Sequence, residues 1–121
     1  ALKDAGKYSG LDNLHLIEPV GYLEFIALER DARVILPDSG GIQEESTVLG
    51  IPCLTLRENT ERPVTLTVGT NRLVDPKKDD ILQAIRPILE GAPVSGKIPE
   101  KWDGKAAERI VEVLLKIEKD N

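Results

Sequence analysis

Asp38-Ser39-Gly40-Gly41-Ile42-Gln43-Glu44-Glu45 stands between a short apolar run, Arg33-Val34-Ile35-Leu36-Pro37, and a helical pattern that continues to Leu49 and stops at Gly50. The apolar run reads as a buried strand. A strand, a turn of small residues and a helix start, in that order, make an anion pocket. The first amides of a helix have no intrahelical acceptor and carry partial positive charge. Gly40 and Gly41 let a ligand approach the backbone, and Glu45, one turn in, can accept hydrogen bonds from ribose hydroxyls. The octamer therefore reads as a site for a phosphorylated, ribose-bearing ligand. Alone it is also an ordinary strand-to-helix connection, because Ser and Asp cap helices and Gly turns corners. It is neither the G-x-G-x-x-G dinucleotide fingerprint nor the Walker pattern. Ile42 and Leu49 lie on one helical stripe with Glu45 between them. A carboxylate there needs a partner, a ligand or an arginine, since burying it bare is costly.

Working outward, residues 1–10 read as the tail of a helix and a loop. Leu14-His15-Leu16-Ile17-Glu18 alternates up to Pro19 and reads as a strand. Gly21 to Arg30 reads as a helix with Tyr22, Phe25, Ile26 and Glu29 on one face. Residues 52–56 are a further strand, 57–63 a polar loop, Val64–Val68 a helical turn and 72–74 a last short strand. Asp79 or Asp80 caps a helix bearing Ile81, Leu82, Ile85, Ile88 and Leu89, which Pro87 should kink or end early. Asp103 caps a closing helix over 103–118, whose apolar stripe is Ala107, Ile110, Val111 and Leu114. Strands alternating with helices predict an α/β fold: a Rossmann-like parallel sheet covered on both faces. Ligands bind beyond the carboxyl ends of such strands. The loop after Glu18, the Ser39-Gly40-Gly41 turn and the loop 57–63 should meet there.

The chain has 121 residues, 40% of them hydrophobic, which suits one domain with a core. Only 3% are aromatic, so Leu, Ile, Val and Ala must build that core. A net charge of -5 with no long basic run argues against a nucleic-acid partner. No apolar stretch approaches membrane-spanning length and no signal peptide is evident, so no membrane partner is expected. Cys53, the sole cysteine, sits inside an apolar run and reads as a core residue; the absence of an internal disulfide fits a reducing, cytoplasmic setting. The chain opens at Ala1 and contains no Met, which reads as a piece of a longer protein.

With these features in place the chain resembles the C-terminal domain of the non-hydrolysing UDP-N-acetylglucosamine 2-epimerase family. The resemblance rests on Pro19 through Phe25, on Asp38 through Glu45, and on Thr60-Glu61-Arg62-Pro63. Gly69-Thr70, Arg72-Leu73-Val74 and Trp102-Asp103-Gly104-Lys105-Ala106-Ala107 extend it over nearly the whole chain. It implies a fold like glycosyltransferase B, two Rossmann-like domains with the active site between them, of which this chain is an N-terminally truncated C-terminal half. It implies interconversion of UDP-GlcNAc and UDP-ManNAc by elimination of UDP to a glycal and re-addition. The family's acid/base carboxylates and its catalytic histidine motif have no counterpart here, so no catalytic residue is assigned and the chain alone is expected to be inactive. The resemblance implies no metal and no cofactor. As partners it implies a UDP-sugar, the N-terminal domain of the same enzyme and a second copy in a homodimer. Carried over residue by residue, Phe25 packs at the uracil, Ser39, Gly40 and Gly41 hold the diphosphate, Glu45 takes the ribose hydroxyls and Arg62 is the cation of the UDP site.

Plainer roles stand beside these. Phe25 also fits as a core residue, Arg62 as a loop cap or the partner of Glu58, Gln43 and Glu44 as solvated helix surface or contacts of a missing domain, and Trp102 as a packing anchor. His15, the only histidine, lies outside the family's catalytic motif. Val64 after Glu-Arg-Pro, and Arg57-Glu58-Asn59-Thr60, depart from the common family pattern and leave the sugar open. Two other functions fit the same residues: the C-terminal domain of a nucleotide-sugar glycosyltransferase, and a non-catalytic nucleotide-binding module. If the Rossmann order 3-2-1-4-5-6 holds, two strands are missing between 14–18 and 33–37, and those segments should either pair directly or leave open edges through which the chain oligomerises.

Overall fold

Residues 10–120 are described in the computed structural model of the chain, so most of the segment expected to be a helix tail lies outside the described residues. The elements are α1 (Tyr22–Asp31), α2 (Gly40–Leu49), β1 (Cys53–Thr55), α3 (Pro63–Thr67), β2 (Asn71–Leu73), α4 (Lys78–Leu89) and α5 (Ala106–Lys119). β1 and β2 pair in parallel, with Cys53 opposite Asn71 and Thr55 opposite Leu73. The 33–37 run lies along the other side of β1. Ile35 forms a parallel bridge with Cys53, and the Ile35 and Leu56 amides donate to Pro52 and Pro37 carbonyls at 2.9 and 2.8 Å. The spatial order is therefore 33–37, β1, β2, the parallel arrangement expected of strands joined by helices.

Alternation along β1 splits the interior into two unlike halves. Leu54 points to one face and forms an apolar cluster with Val74 and Ala84, flanked by Val34, Leu56, Ile81, Ile85 and Ile88, so α4 covers that side. Cys53 and Thr55 point to the opposite face, where Asn71 joins them in register. There, besides Cys53, the fully buried groups are polar: Gln43, Ser46, Thr47, Thr55 and Thr65. α2 stops at Gly50, whose φ of 72° is the left-handed conformation glycine adopts without strain.

Four expectations change. Leu14–Glu18 forms no strand: no described segment lies beside it to complete a ladder, and Leu14, Leu16 and Ile17 are 43%, 49% and 63% exposed. It does not pair with 33–37. Pro87 neither stops α4 nor shortens it before Leu89. It sits on the exposed side, where the carbonyl it leaves unbonded can meet water. Neither Asp79 nor Asp80 is the α4 cap; both lie in its first turn, and the Lys77 carbonyl accepts from the Ile81 amide at 3.0 Å. Asp103 likewise is not the α5 cap: Lys105 holds that position without a side-chain capping bond and the helix starts at Ala106, while Asp103 accepts the Lys105 amide just ahead of it at 3.0 Å.

Candidate functional site

α2 begins at Gly40 after an extended Ser39 whose side chain makes no capping bond. Its first turn carries no acidic residue, so nothing on that turn offsets the positive end of the helix. A Cβ built on Gly41 would meet nothing within 4 Å, so the helix start is open on that side. One on Gly40 would lie 2.7 Å from Glu61 Oε1 and 3.9 Å from Arg62 Nε. The 57–63 loop thus brings a carboxylate and a guanidinium to the helix start. Arg57 donates to Glu61 Oε2 at 3.3 Å. The Glu61 carboxyl is held below its usual range, first by its own backbone amide and then by the Arg57 charge.

Arg62 pairs with Glu44 rather than Glu58, Nε to Oε1 at 3.1 Å, with both side chains more than two-fifths exposed. Glu44 is therefore the arginine's counter-ion, not merely solvated surface. The Arg62 backbone is held on both sides. Its amide donates to Thr60 Oγ1 at 3.0 Å, and its carbonyl accepts from Thr65 Oγ1 at 2.7 Å.

Gln43, unlike Glu44, is not solvated; it is wholly buried. Its Nε2 donates to the Ser39 carbonyl at 3.0 Å, and its Oε1 accepts from Thr60 Oγ1 at 2.6 Å and Asn71 Nδ2 at 3.0 Å. Asn71 Nδ2 also donates to Thr65 Oγ1 at 3.0 Å, and Asn71 Oδ1 accepts from Thr55 Oγ1 at 2.6 Å. Sequence reading missed this network because an amide on a helix reads as surface. The usable signal was the spacing of Gln43, Ser46 and Thr47, a buried stripe of polar side chains opposite Thr55 and Asn71.

Glu45 lies one turn along α2, half-buried. Among the described residues its charged neighbour is Glu29 of α1, not an arginine. Glu29 is 3% exposed and neither carboxyl oxygen has a donor. Burial, then the Glu45 charge, raises its pKa to about 7. Phe25, one turn before Glu29, is 37% exposed, and Tyr22 is 68% exposed, so the expected core face of α1 is buried only at Glu29. The structure brings Ser39, Gly40 and Arg62 together, leaves Gly41 facing open space beside them, and sets Glu45 and Phe25 further along on two packed helices. Cys53 is buried as expected, and burial raises its thiol pKa.

Fold and site define an α/β protein with a small parallel sheet and an open helix N-terminus faced by an arginine. The sequence profile of the UDP-N-acetylglucosamine 2-epimerase family matches residues 2–115, and the chain belongs to that family. The UDP-N-acetylglucosamine 2-epimerase of Methanocaldococcus jannaschii is 50% identical over 101 residues, covering 84% of this chain and 27% of the relative. That of Escherichia coli is 43% identical over 106 residues, covering 84% and 28%. The crystal structure of the Neisseria meningitidis enzyme bound to UDP-GlcNAc superposes with a TM-score of 0.78 at 41% identity, over 89% of this chain and 30% of that one. The M. jannaschii enzyme in complex with UDP-GlcNAc and UDP gives 0.74 at 43% identity, over 93% and 30%. The chain thus spans under a third of the length of these relatives, and its fold matches part of theirs.

Proposed function

We propose that these residues are the UDP-holding, C-terminal half of a two-domain enzyme with a glycosyltransferase-B-like fold, which interconverts UDP-GlcNAc and UDP-ManNAc. The observation that supports this best is the meeting of Arg62 with the Gly40 end of α2, in a chain of this family. In the proposed complex the diphosphate lies on the Ser39, Gly40 and Gly41 amides and takes Arg62 from Glu44. An exposed ion pair is worth about 0–1 kcal/mol, and a charge-assisted hydrogen bond to an oxyanion roughly 1.5–3, so the exchange favours the ligand. Glu45 accepts from the ribose hydroxyls and Phe25 packs at the uracil. The chain's part in the reaction is to bind UDP and to stabilise its negative charge when the bond to the sugar breaks, which a fixed guanidinium and a helix N-terminus both do. The acid and base that act at C2 belong to the other domain, the active enzyme is a cytoplasmic homodimer, and the chain alone catalyses nothing.

Calorimetric titration with UDP tests the site. Arg62→Ala with Glu45→Ala is expected to weaken binding by roughly a hundredfold or more, the loss of two charged hydrogen-bonding groups. Unchanged affinity in the folded double variant would refute the assignment. Epimerisation of UDP-GlcNAc by the whole polypeptide, with no acceptor added, separates an epimerase from a glycosyltransferase.

A further inference from the structure

The buried network has two outlets, and both reach the proposed diphosphate site. Through Gln43 Nε2 it holds the Ser39 carbonyl, where the chain turns into α2. Through Thr60 and Thr65 it holds the amide and the carbonyl of Arg62. Each link has one direction. Thr60 gives its proton to Gln43 and accepts from Arg62; Thr65 gives its proton to Arg62 and accepts from Asn71; Thr55 gives its proton to Asn71. Flipping Gln43 would set its NH2 against that of Asn71 and its oxygen against the Ser39 carbonyl, and flipping Asn71 would set oxygen against oxygen, so the network admits one arrangement. Its buried members cost desolvation that an apolar core would avoid. A fully satisfied network offers instead a fixed relative placement of the elements it joins.

We propose that Gln43, with Asn71, is a positioning residue of the nucleotide site: it sets the distance between the α2 N-terminus and Arg62 so that both engage one diphosphate. The inference rests on the UDP reading above. Neither side chain need touch the ligand; they act through Ser39 and Arg62, whose backbone atoms they or their threonine partners hold. Diphosphate recognition by two separate groups is sensitive to displacements well below 1 Å, whereas recognition of base and ribose, which uses α1 and α2 and not Arg62, does not depend on the distance between α2 and Arg62.

The test uses the whole polypeptide that carries these residues, with UDP and uridine as paired probes. Gln43→Met keeps the side-chain volume and removes every hydrogen bond of the hub. It is expected to weaken UDP binding about tenfold and uridine binding less than about twofold. In an Arg62→Ala background the same substitution is expected to cost UDP little more, because the group being positioned is gone. Thr60→Val, which cuts only the branch to the Arg62 amide, supplies the same comparison should Gln43→Met not fold. Equal losses for UDP and uridine, full additivity with Arg62→Ala, or unaltered UDP affinity would each overturn the proposal and leave the network a packing feature. Failure of the wild-type polypeptide to bind UDP would overturn the UDP reading itself, and this inference with it.

Discussion

Arg62 and Glu29 each face a carboxylate, Glu44 and Glu45, with opposite consequences. Arg62 pairs with Glu44. Glu44→Gln removes the competing anion, so UDP affinity measured by calorimetry should rise, by about two- to fivefold given the small worth of an exposed pair. A fall in affinity would mean Glu44 aids the ligand instead. Glu29 has its proton held by burial and by the Glu45 charge, with a pKa of about 7 against an ordinary 4.5. The stability carried by that protonated carboxyl is fully present below about 4.5 and is lost as pH rises through about 7, because the unfolded chain releases the proton more readily. The loss between pH 5 and pH 8 should be on the order of 3 kcal/mol. Asp31 and Asp103, held below 3.8 by Arg30 and Arg109, act only at lower pH and in the opposite sense. Urea unfolding across that range should show the decline in the wild type and a flatter profile in Glu29→Gln. Equal slopes would disprove the assignment.

At the scale of elements, two glycines separate packing from binding. Gly69 ends the α3 turn, and a Cβ there would meet the Thr47 side chain and, at 2.7 Å, the backbone carbonyl of Thr65. Backbone cannot yield as a side-chain tip can, so Gly69→Ala should destabilise by about 1–3 kcal/mol in chemical denaturation, with α3, α2 and β2 all disturbed. Gly41 faces open space, so Gly41→Ala should leave stability unchanged or slightly raised, since Ala favours helix, yet weaken UDP binding by crowding the helix start. A Gly41→Ala variant that binds UDP normally would place the diphosphate elsewhere. Both glycines lie in motifs that sequence reading singled out, and the α1 and α2 boundaries it gave are within two residues of those observed. It failed on which α2 face is buried. Ile42 and Leu49 drew attention as the apolar stripe, but the fully buried side chains are Gln43, Ser46 and Thr47. Hydropathy cannot reveal a polar interior whose members satisfy one another, because the satisfying partners, Thr60, Thr65 and Asn71, come from distant positions. The Glu29–Glu45 approach was hidden for the same reason. The 14–18 alternation was a real strand pattern, but a strand exists only with a neighbour to bond it.

At the scale of the whole molecule, two stretches of uncovered apolar surface stand out among the described residues. α5 shows Ile110, Val111 and Leu114 at 59%, 53% and 60% exposure, and Leu115 and Ile117 add to that face. On the opposite side of the chain order, Ile17, Val20, Ala27 and Leu28 line an open groove of about 580 Å³. Alternation along 33–37 turns the backbone groups of Val34 and Leu36 away from β1, to an edge where no described strand lies. An amphipathic helix and an open sheet edge both gain by acquiring a partner, and contiguous apolar patches of this kind mark interaction surfaces. The matched relatives are more than three times as long as the matched stretch, so the proposed enzyme has further chain with which to cover them. Residues 10–120 produced alone should therefore self-associate at roughly micromolar concentrations and above, as species with exposed apolar surface and unpaired edges do. Sedimentation should show mass rising with concentration, and Ile110→Lys with Leu114→Lys should reduce it by charging the α5 stripe. The whole polypeptide should instead give one discrete oligomer whose mass is independent of concentration in the same range. A strictly monomeric 10–120 segment would show that these surfaces are tolerated by water as they stand, and would remove the physical reason for expecting a second domain against them.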